Sequence, residues 1–384
     1  MKKFNKKKLT LLERLMIDIQ NFFGVKTMCT IKYYLGYILG YKNKKKELQK
    51  LKSFTSISSE FPELLHKAKL LIANSNNELI YETINSFFDS NIKILKNVSN
   101  IEEHQVIVVC ALKNEITRIK WFLDHYRNLG IKLFLICDNN STDGTLDFLM
   151  QQNDVVLYQT TDKYNSQKKC AWCNRMISDV GDNQWYLVVD ADEFIWYPEL
   201  KKMDLNEYTE KLFKKNIFSV KGLMLEMYPD NNLGDSNLDK SKFLEEYVFY
   251  DTDSDYYIYD KDRQLITGGF INRVFKDENA LQCKVPLFYQ TDIRFNIGSH
   301  HIFPYEEDLT AQYGIILKHY KFLPGDEGKI RQAVAQKNYA NESKLYKKFV
   351  VMYDDGINAF CPLSRKWDSD TVLENLNFIK ELTK

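Results

Sequence analysis

The sequence lacks a net charge: 53 Lys and Arg stand against 52 Asp and Glu in 384 residues, leaving +1. No global field gathers nucleic acid, and no nucleic-acid partner is expected. It also lacks a cysteine framework. Its seven cysteines are odd in number and scattered, which excludes a disulfide-stapled secreted domain and points to a reducing compartment, the cytosol. Long apolar runs are missing too. The patch 31–41 is broken by Lys32 and falls well short of the roughly 20 residues that cross a bilayer. Nor is a secretory leader expected, because Glu13, Arg14, Asp18 and Gln20 interrupt the apolar stretch near the start. Cys170 and Cys173 have no second pair at matching spacing, so they do not form a zinc site.

What is present is a chain with 44% hydrophobic residues, enough for a large core. The first segment places five lysines in Met1–Lys8 ahead of Leu12, Leu15, Met16, Ile19, Phe22 and Phe23 at helical spacing. This basic amphipathic helix either attaches peripherally to the inner face of a membrane or packs on its own protein. From Lys42 to Asn100 the pattern is helical and polar, so residues 1–100 are expected to form a helical N-terminal region.

At Val106 the texture changes. The apolar run Val106–Ala111 predicts a buried parallel strand, followed by a helix that Asn114 can cap and Gly130 ends. A second strand over Leu133–Cys137, a short helix and a third strand over Val155–Tyr158 complete a β-α-β-α-β nucleotide-binding half-fold. Ligands of such sheets collect at the carboxyl ends of the strands. Here those positions hold Lys113, Asn114 and Glu115 after strand one, and Asp138, Asn139, Ser141 and Asp143 after strand two. The first turn contains no glycine, which weakens a dinucleotide or P-loop reading. A bound phosphate would then need a metal ion to neutralise it.

The apolar run Trp185–Val189 ends in Asp190-Ala191-Asp192-Glu193. Two carboxylates one residue apart at a strand end point the same way. They can offer oxygen ligands to Mn²⁺ or Mg²⁺, with water and diphosphate filling the other positions. A nucleoside diphosphate leaving an anomeric carbon develops the negative charge that such a cation stabilises.

The strings ALKNE, WFLDHYRNLG, ICDNNSTDGT and WYLVVDADEF together resemble family 2 glycosyltransferases, in the subgroup that makes bacterial surface polysaccharide such as lipopolysaccharide and capsule. The likeness continues through GLMLEMYPDN, GGFINRVF, KVPLFY, GSHH and LKHYKF. It implies an α/β chain with a Rossmann-like GT-A domain over residues 101–323, between helical N- and C-terminal segments, the latter over 324–384. It also implies that Lys113, Asn114 and Glu115 line the nucleotide pocket, that Asp138 meets the nucleoside, and that Asp190 and Asp192 bind the metal and donor. Inversion at the anomeric carbon follows from the family alone.

His300 and His319 are candidates to complete the metal site, and Lys284 to pair with the diphosphate. For the base that activates the acceptor, Glu226 and Asp230 come first and Glu193 second. The expected partners are a nucleotide-sugar donor and a glycan or glycolipid acceptor. Rival readings are a nucleotidyltransferase and a non-catalytic sugar-binding protein on a transferase fold.

Overall fold

The structure, a computed structural model, describes residues 78–376 except 99–104, 236, 253, 261–264, 291–294, 298, 299, 304, 306–309, 338 and 339. The basic amphipathic helix expected at the N-terminus lies outside the described residues.

The first described elements are helix α1 (Glu78–Phe88) and strand β1 (Lys93–Lys96). Strand β2 (Val106–Leu112) and helix α2 (Ile116–Asn128) follow, then β3 (Phe134–Asp138), α3 (Thr145–Met150), β4 (Val155–Gln159), α4 (Ser166–Val180) and β5 (Trp185–Val188). Beyond these come β6 (Glu193–Trp196), α5 (Leu205–Lys214) and β7 (Ser219–Glu226). The short pieces α6 (Phe243–Glu246), β8 (Phe249–Asp251), β9 (Tyr257–Asp260), β10 (Leu265–Gly268) and α7 (Gly269–Phe275) lead to β11 (Cys283–Tyr289). The ribbon β12 (Phe295–Ile297) and β13 (His301–Phe303) precedes β14 (Thr310–His319) and the helices α8 (Glu327–Gln336) and α9 (Ala340–Asp355).

Nine strands form one sheet in the order β1-β4-β3-β2-β5-β11-β7-β14-β6. The run β4-β3-β2-β5 is parallel throughout, which is the Rossmann-like half. Beyond β5 the sheet becomes mixed: β11 is antiparallel to β5 and β7, β14 runs parallel to β7, and β6 is antiparallel to β14.

The apolar runs have a packing reason. Along β2, Val106, Val108, Cys110 and Leu112 enter one core while Ile107 and Val109 enter another on the opposite face. Helix α2 covers the first face with Ile119, Phe122, Leu123 and Tyr126. Helix α4 covers the second with Trp172, Cys173, Met176 and Ile177. A strand covered on both faces needs apolar residues at successive positions, so it reads as a continuous run. A third cluster, around Tyr228, Phe270, Phe275, Phe322, Phe349 and Met352, joins α7 to the C-terminal helices.

Three sequence expectations shift. Residues 93–96, in the stretch expected to be helical, form an edge strand antiparallel to β4. The segment after 323 is helical in α8 and α9 but also sends Ser364–Lys366 to pair with β8. Asn114 does not cap α2. Glu115 holds the N-cap position without a side-chain bond, while Asn114 takes φ 57 and turns its amide elsewhere. Gly130 does follow the last turn, at φ 87, a left-handed conformation that glycine adopts without steric cost. Among the described residues no helix is long and apolar enough to cross a membrane.

Candidate active site

In the parallel half the strand order reverses between β2 and β5, and an open sheet leaves a crevice beyond the carboxyl ends at such a point. The loops after β2 and β3 border it and are laced together. The Asn114 amide donates to Ser141 Oγ at 2.8 Å, and the Thr142 amide returns a bond of 2.8 Å to Asn114 Oδ1. The Glu115 amide donates to Thr145 Oγ1 at 2.8 Å.

Asp143 accepts from the Ile116 amide at 3.1 Å and from both the amide and hydroxyl of Thr145. Burial works against its charge, but these bonds prevail and hold its carboxyl below the usual range. The Asn139 side chain donates to the carbonyls of Thr160 and Asp162. Asn114, Asn139, Ser141 and Asp143 therefore build the rim of the crevice.

Asp138 differs. It is fully buried, its Oδ2 accepts from the Ser141 amide at 2.9 Å, and its Oδ1 has no hydrogen-bond partner among the described residues. A buried acceptor left open is costly, and one at the end of a parallel strand can receive a ligand N–H. Lys113 is exposed one residue past β2, whose last residue, Leu112, pairs with Asp138.

The Asp190–Asp192 turn connects β5 to β6. Both side chains are the open layer of the site, 31% and 23% exposed, over buried partners. Asp190 Oδ1 pairs with Lys169 Nζ and lies 3.9 Å from Lys284 Nζ. Lys284 also bonds Glu193 Oε2 at 2.8 Å, and Glu193 Oε2 accepts from the Asp190 amide at 2.9 Å. Burial pushes the Asp190 carboxyl up, but Lys169 and Lys284 outweigh it and bring it to about 2. The two ammonium groups are held charged in spite of burial, Lys169 chiefly by Asp190 and Lys284 by Asp190 and Glu193.

On the other side stands a row built by strand register, in which His319 of β14 is opposite Glu193 of β6 and Glu226 of β7. His319 Nε2 meets Asp192 Oδ2 at 3.1 Å, and Nδ1 meets Glu226 Oε1 at 2.9 Å. Burial disfavours the imidazolium, yet Glu226 and Asp192 lift its pKa to about 10, and Asp192 falls well below the usual carboxylate range with His319 as the main cause. Glu226 is 5% exposed, and its Oε2 has no hydrogen-bond partner among the described residues.

Arg118 ties this side to the C-terminal segment. It donates to the Tyr320 carbonyl at 3.0 and 3.2 Å, to Glu115 at 2.8 Å and to Asp326. Lys329 of α8 bonds Glu115 at 3.0 Å. Burial raises the Glu115 carboxyl even against Arg118 and Lys329.

The structure thus joins Asp190, Glu193 and Lys284 in one set of contacts and Asp192, His319 and Glu226 in another, while Glu115 and Asp138 lie at the carboxyl ends of the paired strands β2 and β3. It sets two candidates aside from the carboxylate pair. His300 donates through Nδ1 to the Cys283 carbonyl, 2.9 Å away, and burial beside Lys284 lowers its pKa to about 3. Asp230 is exposed, with its backbone carbonyl bonded to Asn358.

Two residues that sequence reasoning passed over enter the site: Lys169 and Arg118. Lys169 sits on α4 beside Lys168, and only its burial (7% exposed) distinguishes it from a solvated lysine. Arg118 stands among the charged residues of α2 and is 2% exposed.

Whether these residues suit a metal is a question of donor chemistry. Among the described residues no group of three or more His, Cys, Asp or Glu forms a metal cage. Mg²⁺ and Mn²⁺ at phosphate-transfer sites commonly rest on one or two carboxylates plus substrate oxygens, and Asp190 with Asp192 supplies that pair. The donor set fits an ion that arrives with a diphosphate.

No protein-family model matches the chain, and no curated protein matches it. Solved structures are similar to it at low level. S. aureus TarS 1–349 is 12% identical, over 65% of this chain and 72% of that one, with a TM-score of 0.29. HddC from Yersinia pseudotuberculosis is 11% identical over 48% and 73%, with a TM-score of 0.22. UDP-glucose pyrophosphorylase from Acinetobacter baumanii is 10% identical over 72% and 93%, with a TM-score of 0.24. Likenesses of this extent assign no activity to this chain.

Proposed function

We propose that the protein is a glycosyltransferase that takes a nucleotide-sugar donor with Mn²⁺ or Mg²⁺ and transfers the sugar, with inversion, to a glycan or glycolipid acceptor in surface-polysaccharide synthesis. The observation that carries the reading is the placement of Asp190 and Asp192 at the carboxyl end of β5, where the parallel strand order reverses beside β2. The family resemblance supports the choice of reaction, and the scattered cysteines support the cytoplasmic setting.

In this reading the open Oδ1 of Asp138 receives an N–H of the donor nucleobase, and the rim of Lys113, Asn114, Asn139, Ser141 and Asp143 surrounds the nucleoside. Asp190 and Asp192 hold the metal, which when bound supplies Lewis-acid stabilisation to the departing diphosphate. Lys284 faces the same charge from below. His319 is the ring that adjoins the metal position, and Glu226 fixes its orientation through Nδ1, as carboxylates do behind metal-facing imidazoles. His300 has no part in the metal site as proposed.

Glu193 is buried with Oε2 held by Lys284 and the Asp190 amide, and Glu226 is buried with Oε1 on His319 and Oε2 open among the described residues. Of the three acids, Asp230 alone is exposed, and the proposal keeps it as the base.

The test is nucleoside-diphosphate release from a panel of nucleotide sugars with Mn²⁺, Mg²⁺ or EDTA, comparing the native chain with Asp192→Ala. Metal-dependent release of UDP or GDP, lost in the variant, supports the proposal and names the donor. Pyrophosphate release in its place would make the protein a nucleotidyltransferase. Donor binding that is indifferent to both metal and Asp192 would leave a sugar-binding protein.

A further inference from the structure

Two buried cations converge on one oxygen of the metal-site candidate Asp190. The side chains of Lys169 and Lys284 are 8% and 2% exposed, while that of Asp190 is 31% exposed toward the crevice. Glu193, 1% exposed, answers Lys284, which leaves Asp190 as the counter-ion of Lys169. Two positive and two negative charges balance in a place with little access to water.

A divalent cation landing on Asp190 alone would upset that balance. It would set two added positive charges beside two buried ammonium groups and strip Lys169 of its counter-ion. Uncompensated charge in a poorly solvated site is heavily penalised. A diphosphate that arrives with the metal removes the problem, because its oxygens are hard acceptors for both the cation and the lysine.

From this arrangement we infer that Lys169 is a counter-ion latch, which closes on Asp190 when the crevice is empty and passes to the donor's diphosphate when metal and donor enter together. The site then discriminates against free metal and in favour of the metal–diphosphate complex, and the latch recloses as the nucleoside diphosphate departs. Lys169 is a residue that controls metal entry, distinct in role from the two carboxylates that hold the metal. This inference rests on the metal–donor reading given above.

The experiment is a Mn²⁺ titration of the full chain followed by the electron paramagnetic resonance signal of free Mn²⁺, alone and with UDP or GDP. Native protein, Lys169→Met and Lys169→Arg are compared after thermal melts establish cooperative folding. The native chain should bind Mn²⁺ weakly alone and at least tenfold more tightly with the matching nucleotide. Lys169→Met should bind Mn²⁺ alone at least tenfold more tightly than native while gaining less from nucleotide, since the repelling charge is gone.

Lys169→Arg keeps the charge and should stay as weak as native toward Mn²⁺ alone. Tight binding of Mn²⁺ alone by this variant would overturn the latch even if Lys169→Met does not fold. If native protein takes up Mn²⁺ with nucleotide but Lys169→Met binds Mn²⁺ alone no better than native, the latch is wrong and the metal–donor reading stands. If no protein takes up Mn²⁺ under any condition, the metal–donor reading fails and the latch with it.

Discussion

The two sides of the nine-stranded sheet contribute to the crevice by different means. The parallel side, β4-β3-β2-β5, delivers its residues locally: each candidate residue lies at or just past the carboxyl end of its strand, and Asp138 and Asp190 sit within two residues of a strand end. The mixed side, β11-β7-β14-β6, delivers them by register. Glu193, Glu226 and His319 are 33 and 93 positions apart in sequence and become neighbours because β6, β14 and β7 pair at those residues. The parallel side can thus set the nucleoside while the mixed side sets the groups around the metal, and substitutions on the two sides should fail in different ways.

The largest effect belongs to the junction. Asp192→Ala should lower kcat/KM for nucleoside-diphosphate release by about 1,000-fold or more, as expected when several kcal/mol of charge stabilisation are lost, and added Mn²⁺ should not restore it. Next comes the mixed side. Glu226→Gln leaves the ring of His319 without its carboxylate and should weaken Mn²⁺ affinity or kcat by about 10- to 100-fold at little change in donor KM, read by steady-state kinetics across a Mn²⁺ series. A loss confined to KM would mean that register does not separate the two roles.

On the parallel side, Asp138→Asn should raise donor KM by about tenfold, the size of one buried charge-assisted hydrogen bond, with kcat nearly native. An equal loss in kcat would break the comparison from the other direction.

The smallest effect concerns stability. His125 on α2 bonds the Ile195 carbonyl of β6 at 3.1 Å and is held neutral by burial, its pKa lowered to about 3, with Lys318 adding to the effect. A base whose folded pKa lies below its unfolded value of about 6.5 binds its proton more readily in the unfolded chain. Its contribution is therefore full above pH 6.5 and is lost as pH falls toward 3. His125→Gln should flatten that acid limb by on the order of 1 kcal/mol, measured as urea midpoints from pH 7 to pH 4.

The same division explains what could be read early. The strands over Val106–Ala111 and Trp185–Val189 were legible because both faces are covered and every position must be apolar. The edge strand at Lys93–Lys96 was not, since its KILK sequence is exposed at two of four positions and carries no such pattern. Asn114 had the residue type of a cap, but its Oδ1 accepts from the Thr142 amide in the loop after β3, and a side-chain oxygen serves whichever donor the fold brings nearest. His300 and His319 looked equivalent as single histidines. Strand register, with no counterpart in local spacing, carried one to Asp192 and the other to the Cys283 carbonyl.

By itself the sequence determined the alternation of apolar strands and amphipathic helices, the β-α-β-α-β succession of the parallel half and the two carboxylates that follow β5. Periodicity and strand-end chemistry are properties of residues close together in the chain. Only the tertiary structure decided that Lys169 and Arg118 are buried, that Lys284 stands under Asp190, and that Glu226 lies behind His319. Those placements depend on which strands pair and at which residue, and pairing energy is summed over whole strands.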